Sequence, residues 1–177
     1  NSQSFTFSFP NRSETDSIYI KTSLIARSTS GTNAFITYLN GSQVLNQTIP
    51  STGIEYTSEY AKASEIGDYF LTSGNNITLT LNFNKGSGSA NGWLNYLEVM
   101  AKRKLIMHGD QMSFRDLKSV GTGNICEFTL TNGTGNTIWD VTDPFNVRSV
   151  SYSSVGPSGN NALFVIETDR LKEFIAF

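Results

Sequence analysis

The sequence has very little of what catalytic and cross-linked proteins depend on. Its 177 residues include one cysteine, Cys126, and one histidine, His108. A lone cysteine excludes an internal disulfide framework, and zinc would need clustered Cys and His ligands. A Cys126–His108 dyad would require both side chains and an orienting group to meet in the tertiary structure. The alternation around Cys126 instead predicts a small buried hydrophobe, so we predict no catalytic residue in this chain.

Charge and long apolar runs are also scarce. Charged residues make up 16% of the chain, and the formal net charge is −2. Nucleic-acid-binding domains normally carry a basic patch, so that class is excluded. No apolar run approaches the roughly 20 residues of a membrane span, and no signal peptide is present. Abundant Ser, Thr, Asn and Gly are typical of exported bacterial β-proteins. We therefore interpret the chain as a mature or excised piece of a longer, extracytoplasmic protein.

Alternation of apolar and polar residues predicts an all-β fold. The clearest strands are Ile77–Phe83 and Trp93–Val99, because every second residue is apolar. The dipeptide Asn40-Gly41 suits a type I′ turn and predicts a hairpin between Ala34–Leu39 and Val44–Ile49. About eight short strands in the first part are typical of an antiparallel β-sandwich or jelly roll of the galactose-binding-like type.

Other segments are assigned from weaker patterns. Residues 54–60 are predicted to form a strand with Ile54 and Tyr56 inward, and the run from Trp93 is predicted to continue to Met107. Residues 147–152 are predicted to form one strand. Only residues 64–68 and 169–172 are compatible with a helical turn.

Two domains are expected from a weak change in composition at His108-Gly109-Asp110. Residues 1–107 would form the jelly-roll-like sandwich, and residues 108–177 would form a second small β unit. The alternative is that the second part pairs with the first in one continuous sandwich.

Acidic side chains provide weak candidates for a calcium site. The candidates are Asp140 with Asp143, and Asp68 with Glu65, but neither pair has the spacing of an EF-hand loop. Short carboxylates beside Pro144 are expected to accept hydrogen bonds from the local backbone of a turn. We therefore predict no cofactor, with calcium as the alternative.

The basic run Lys102-Arg103-Lys104 is a candidate surface feature. Alternation places Lys102 and Lys104 on one face of the predicted strand, where charge protects an exposed edge from aggregation. The functional alternative is contact with an anionic group, such as a phosphate of lipopolysaccharide, or with a neighbouring domain.

Aromatic residues are candidates for stacking on sugar rings. The candidates are Trp93, Trp139, Tyr56 and Tyr69, and core packing is the favoured alternative for both tryptophans. Tyr96 has the opposite parity to Trp93 and is a further candidate for an interface.

Two segments together resemble a known family. Asn91–Val99, followed by Lys102–Leu105 and Gly109–Arg115, is the first, and Ile138–Val147 is the second; the chain then ends on Leu171–Phe177. In this order they resemble the β-rich region ahead of the peptidase domain in PorU-type proteins. These are the gingipain-related, cysteine-peptidase-like sortases of the type IX secretion system in Bacteroidetes. The catalytic Cys and His of that family lie in the downstream domain, and no position here matches them.

The resemblance implies a non-catalytic accessory β-domain that positions or presents substrate to a downstream peptidase domain of the same chain. Its partners would be that domain and the substrates of the secretion system. The contact surfaces would include the loop 86–92 and the loop 140–146, with Asp140 and Asp143 as interface candidates. The rival hypothesis is an independent carbohydrate-binding jelly roll from a surface glycan system. A third hypothesis is a structural spacer.

Overall fold

The computed structural model describes all 177 residues and divides into two compact units, Asn1–Arg103 and Lys104–Phe177. The strands of the first unit are β1 (Ser2–Ser8), β2 (Ile18–Arg27), β3 (Asn33–Leu39), β4 (Ser42–Ile49), β5 (Lys62–Phe70), β6 (Asn76–Asn84) and β7 (Asn91–Met100). Those of the second unit are β8 (Met112–Phe114), β9 (Ile125–Leu130), β10 (Ile138–Asp140), β11 (Arg148–Ser149), β12 (Ser153–Val155), β13 (Asn161–Glu167) and β14 (Phe174–Ala176). The helical element is a short 3-10 turn, Leu117–Ser119, and no helix has the length and apolarity needed to cross a bilayer.

The first unit consists of two antiparallel sheets. The four-stranded sheet has the order β1-β6-β3-β4, and the three-stranded sheet has the order β5-β2-β7. Every second side chain of the central strands β2, β3 and β6 is buried, as expected where one face of a strand meets a core. The predicted all-β, antiparallel sandwich is therefore confirmed. The hairpin is confirmed as well, because β3 pairs with β4 in antiparallel register. Its turn residues Asn40 and Gly41 both have positive φ angles, 47° and 88°.

The close packing of the two sheets depends on one glycine. Gly92 lies against the stacked rings of Phe35 and Phe83, whose centroids are 4.6 Å apart. A Cβ atom at this position would lie 2.7 Å from Phe35 and 2.9 Å from Phe83. Only a residue without a side chain fits here unless the rings move.

We expect Gly92→Ala to destabilise the first unit by about 1–3 kcal/mol, because the core must shift to accept the extra methyl group. Urea unfolding followed by tryptophan fluorescence measures the change. Gly88→Ala is the matched control, because a Cβ atom there meets no atom within 4 Å. Equal stability of the two variants would contradict the packing argument.

The second unit has a core of aromatic rings between two small sheets. The sheets have the orders β11-β10-β14-β8 and β12-β13-β9, and each contains strands of this unit only. Phe128, Phe164 and Phe174 are buried, and Phe114 packs against them. Ring centroids in this cluster lie 5.1–6.5 Å apart, within the usual range for aromatic pairs.

Two predictions about the segment between β4 and β6 are wrong. Residues 54–60 form bends and turns rather than a strand, and Ile54 and Tyr56 are 79% and 103% exposed rather than inward. Residues 64–68 belong to β5 rather than to a helical turn. Pairing with β2 along its whole length determines the conformation of β5, because a partner strand outweighs local propensity.

Two further strand predictions are wrong: the long strand from Trp93 to Met107 and the single strand at residues 147–152. The strand β7 ends at Met100 rather than Met107, so Lys102 and Lys104 do not share a strand face. Residues 147–152 contribute only β11, and β12 begins after them. Residues 169–172 contain no helical turn. The division between the units lies at Arg103 and Lys104, a few residues before the predicted boundary.

Candidate functional site

A β-bulge determines which side chains of β7 face outward. The register between β2 and β7 shifts at Ser23 and Leu24, which pair with Tyr96 and Leu94 and leave Asn95 as the extra residue. An extra residue reverses the alternation beyond it. The prediction from parity, which placed Trp93 with Leu97 on the opposite side from Tyr96, is therefore wrong. Leu94 and Leu97 both pack on the core, whereas Trp93 and Tyr96 lie together on the outer face.

The outer face of β5-β2-β7 is rich in exposed aromatic side chains, and we call it the aromatic face. Side chains directly opposite each other in paired antiparallel strands lie on the same side of the sheet. The register therefore places these residues together in rows: Tyr69, Tyr19 and Met100; Gly67, Lys21 and Glu98; Glu65, Ser23 and Tyr96; Ala63, Ile25 and Trp93. Tyr69 is 67% exposed and Trp93 is 43% exposed, so core packing, the favoured alternative for Trp93, is not what is found.

At one end of the aromatic face, a glycine leaves space for a tyrosine ring. Tyr19 leans across the neighbouring strand, and its ring occupies the space that a side chain at Gly67 would need. The ring also contacts Tyr69, with 5.0 Å between centroids and an interplanar angle of 51°. Gly67 therefore provides the space in which the two rings meet.

Charged side chains lie at the centre of the aromatic face. The Lys21 ammonium is 2.5 Å from the Glu65 carboxylate and 5.5 Å from the centre of the Tyr96 ring. The Tyr96 hydroxyl donates a hydrogen bond to the same carboxylate. Asn95 donates to the Ser23 hydroxyl at 3.2 Å. The contacts with Glu65 and Lys21 fix the orientation of Tyr96.

The hydrogen bonds from Lys21 and Tyr96 lower the pKa of Glu65, and the Glu65 carboxylate raises the pKa of Lys21. A carboxyl group whose pKa is lower in the folded protein than in the unfolded chain stabilises the fold at pH values above its ordinary pKa. That stabilisation is lost as the pH falls through the lowered value. Both groups are exposed to solvent, so the network serves mainly to orient side chains.

We expect Lys21→Met to raise the pKa of Glu65 towards its ordinary value, because the largest cause of the lowered pKa is removed. NMR titration of the side-chain carboxyl carbons measures the midpoint. Lys104→Met is the control: Lys104 belongs to the second unit, so this substitution should leave the pKa of Glu65 unchanged. A Glu65 midpoint that does not move in Lys21→Met would contradict the assigned cause.

Tyr69, at one end of the aromatic face, also lines a cleft of about 410 Å³. The cleft lies between the β3–β4 hairpin and the residues that follow β5, and Tyr69 and Leu71 are among its lining residues. Asn40 closes one side, because its amide group donates to the Thr72 hydroxyl and accepts from the Thr78 backbone N–H. The volume lies at the small end of the range for ligand pockets, roughly 300–1,000 Å³.

At the opposite end, Arg27 contacts the loop before β5. Its guanidinium lies 4.0 Å from the centre of the Tyr60 ring, a cation–π distance. Tyr56 in the same loop is fully exposed, so this sugar-stacking candidate is free of the core.

Trp139, Asp140 and Asp143 belong to the second unit and are described separately. Trp139 is 41% exposed and meets Phe177 edge-to-face at 4.8 Å. Asp140 accepts a hydrogen bond from the Thr142 N–H, and Asp143 accepts one from the Phe145 N–H. Both carboxylates thus bind the local backbone, as turn chemistry predicts.

No group of three or more His, Cys, Asp or Glu side chains is placed to hold a metal ion. Asp68 instead accepts a hydrogen bond from the Tyr69 N–H, and Asp140 is 3.7 Å from the Lys172 ammonium.

The Cys126 thiol lies partly buried against the core of the second unit. It donates to the Ser119 carbonyl at 3.6 Å and accepts from the Thr168 hydroxyl at 3.2 Å. A reactive cysteine needs an electropositive environment that stabilises the thiolate. The polar groups that contact the Cys126 sulfur are a carbonyl and a hydroxyl, and neither carries a positive charge.

The sequence named Trp93, Tyr96 and Tyr69 as candidates but missed Tyr19, Lys21 and Glu98. Tyr19 and Lys21 do share a parity along β2, which was a usable signal. The pairing of β2 with both β5 and β7 is not visible in the sequence, and that pairing brings these side chains together.

No protein-family model and no curated protein matches the chain. Among solved structures, it is similar to dimeric latent PorU from Porphyromonas gingivalis, with a TM-score of 0.80 and 18% sequence identity. The alignment covers 100% of this chain and 17% of the PorU chain. A Paenibacillus sp. cycloisomaltooligosaccharide glucanotransferase complexed with cycloisomaltoheptaose aligns over 99% of this chain and 40% of its own, with 8% identity and a TM-score of 0.31. That likeness is too weak to carry an argument. The chain therefore has the fold of a β-rich segment of PorU, as the resemblance in its sequence predicted.

Proposed function

We propose that this chain is a non-catalytic accessory domain of a PorU-like, cysteine-peptidase-like sortase associated with type IX secretion. Its role is to position or present substrate to a peptidase domain encoded further along the same chain. The location that goes with this role is the outer membrane, the cell surface or the periplasm. The partners are the peptidase domain and the secreted proteins on which it acts.

The observation that carries the proposal is the fold match over the whole chain. Both units align with PorU, yet together they account for only 17% of the PorU chain. A complete alignment to a small part of a long protein is what a domain of a larger protein produces. The remainder of such a protein has ample length for a separate catalytic domain.

The environment of Cys126 supports the non-catalytic part of the proposal. Its hydrogen bonds run to the Ser119 carbonyl and the Thr168 hydroxyl, and neither group is a general base for a thiol. Cysteine peptidases pair the nucleophile with an imidazole that removes its proton. The chemistry of the sortase would therefore belong to another domain.

The test is an in-frame deletion of residues 1–177 from the gene of the intact parent protein. We expect the processing of secreted substrates to be lost, while the remaining protein still cleaves a short peptide substrate. The matched control is Cys126→Ala in the intact protein, which should process substrates normally because the thiol has only a packing role.

Unchanged processing after the deletion would overturn the proposal. Loss of processing in a folded Cys126→Ala protein would overturn its non-catalytic part. A reading frame that joins residues 1–177 to no peptidase domain would also refute it.

A further inference from the structure

We infer that the aromatic face of the first unit is a binding site for a neutral saccharide chain. This inference goes beyond the proposed accessory function. It rests on three features: exposed rings at both ends of the face, hydrogen-bonding groups between the rings, and a balance of charge.

The rings provide surfaces on which sugar rings can stack. Tyr69 and Tyr19 lie at one end of β2, and Trp93 lies beside Ile25 near the other end. At about 3.3 Å per residue, the six steps along the strand from Tyr19 to Ile25 span about 20 Å. This is the length of a short oligosaccharide rather than of a single sugar. Large exposed apolar patches commonly mark surfaces that bind a partner or a ligand.

The groups between the rings match the hydroxyl groups of a sugar. Lys21 is a donor, Glu65 and Glu98 are acceptors, and the Asn95 amide is both. All four lie on the aromatic face between the rings of its two ends. A polyol can donate to the carboxylates and accept from the ammonium group, so these charges keep polar partners when water is displaced.

The same groups argue against a dry protein interface. The cores of protein interfaces are depleted of Lys, Glu and Asp. Here Lys21, Glu65 and Glu98 occupy the middle of the face. An apolar protein surface laid over them would remove paired charges from water, and that desolvation often exceeds the Coulombic gain.

Charge balance favours a neutral ligand over an acidic one. The cations of the aromatic face are Lys21 and Arg27, and its carboxylates are Glu65 and Glu98. Lys21 is already paired with Glu65, so no excess of positive charge remains to attract uronic acids, sulfate or phosphate groups.

The site is ordered before binding. The Tyr19 ring is held over Gly67 and against Tyr69, and Tyr96 is held by Glu65 and Lys21. Side chains that are already fixed lose little conformational entropy on binding. Tyr69 also lines the cleft beside the β3–β4 hairpin.

The test is isothermal titration of the 177-residue chain with a panel of neutral hexasaccharides: maltohexaose, laminarihexaose, cellohexaose, xylohexaose and mannohexaose. Polygalacturonate and heparin serve as acidic comparisons. We expect at least one neutral hexasaccharide to bind, and both Trp93→Ala and Tyr69→Ala to weaken that binding at least tenfold. Trp139→Ala is the matched control, because Trp139 has nearly the same exposure as Trp93 but lies in the second unit.

Failure of every neutral hexasaccharide to bind would overturn the inference, as would binding only to the acidic polymers. Binding that Trp93→Ala leaves intact would show that the aromatic face is not the site. Urea unfolding shows whether Trp93→Ala is folded; if it is not, Tyr69→Ala on the edge strand β5 decides the matter. These outcomes are independent of the deletion experiment, so the accessory function can fail or stand separately.

Discussion

Phe174→Ala is expected to unfold the second unit and leave the first unit folded. Phe174 is fully buried and lies at the centre of the aromatic core, with ring centroids 5.2 Å from Phe114, 5.3 Å from Phe128 and 5.1 Å from Phe164. Truncating a buried phenylalanine costs about 3–5 kcal/mol, because the removed ring leaves a cavity. A small unit has little stability in reserve, since domains of this size bury a smaller fraction of their surface.

The two tryptophans allow each unit to be followed separately. Trp93 lies in the first unit and Trp139 in the second. Urea unfolding of Phe174→Ala is therefore measured in two backgrounds, Trp139→Phe and Trp93→Phe, each of which leaves one reporter. We expect the Trp139 transition to move to much lower urea and the Trp93 transition to stay in place.

Phe145→Ala is the matched control, because Phe145 belongs to the same unit but its side chain is 98% exposed. It should leave both transitions unchanged. A common shift of both reporters in Phe174→Ala would mean that the units unfold together. A shift of the Trp139 transition worth less than about 1 kcal/mol would contradict the packing role of Phe174.

The fold class could be predicted because the local signals agree with the tertiary structure. The strand Ile77–Phe83 alternates regularly, and its inward residues are the buried ones. The Asn40-Gly41 turn has the positive φ angles that its two residues favour. Where the alternation pattern and the turn residues indicate the same structure, a single sequence is sufficient to predict the fold class.

The strand β5 could not be predicted because its sequence does not look like a strand. It contains Glu65, Gly67 and Asp68, residue types that are depleted in strands. The structure shows why Gly67 is there, since the Tyr19 ring lies over it. Conversely, residues 54–60 have the composition of a strand but no partner with which to pair. Strand formation depends on partners that are distant in the sequence.

The candidate site was predictable only as separate residues. Trp93, Tyr96 and Tyr69 were named, but a single extra residue at Asn95 reverses which side of β7 faces the core. Periodicity cannot locate a bulge, because the pattern before it and the pattern after it are each regular. The joint presence of these rings on one outer face therefore required the structure.

Arg12→Ala is expected to destabilise the first unit strongly. Arg12 is only 2% exposed. Its guanidinium donates to the carbonyls of Gly74 at 2.8 Å, Thr72 at 2.6 Å and Ser13 at 3.1 Å. The bonds to Gly74 and Thr72 join the turn after β1 to the turn between β5 and β6. Hydrogen bonds to charged groups contribute about 1.5–3 kcal/mol each, and the carbonyls would lose their partner.

We expect a loss of about 3–5 kcal/mol in the free energy of unfolding, because the bonds are not fully additive. Urea unfolding followed by Trp93 in the Trp139→Phe background measures the loss. Arg27→Ala is the matched control, because Arg27 lies at the surface over the Tyr60 ring, a contact worth about 0.5–1 kcal/mol. If Arg12→Ala costs no more than Arg27→Ala, the buried guanidinium does not hold the two turns together. Arg12→Lys retains the charge but cannot reach all three carbonyls from one nitrogen, so its stability should lie between those of Arg12→Ala and the unmodified chain.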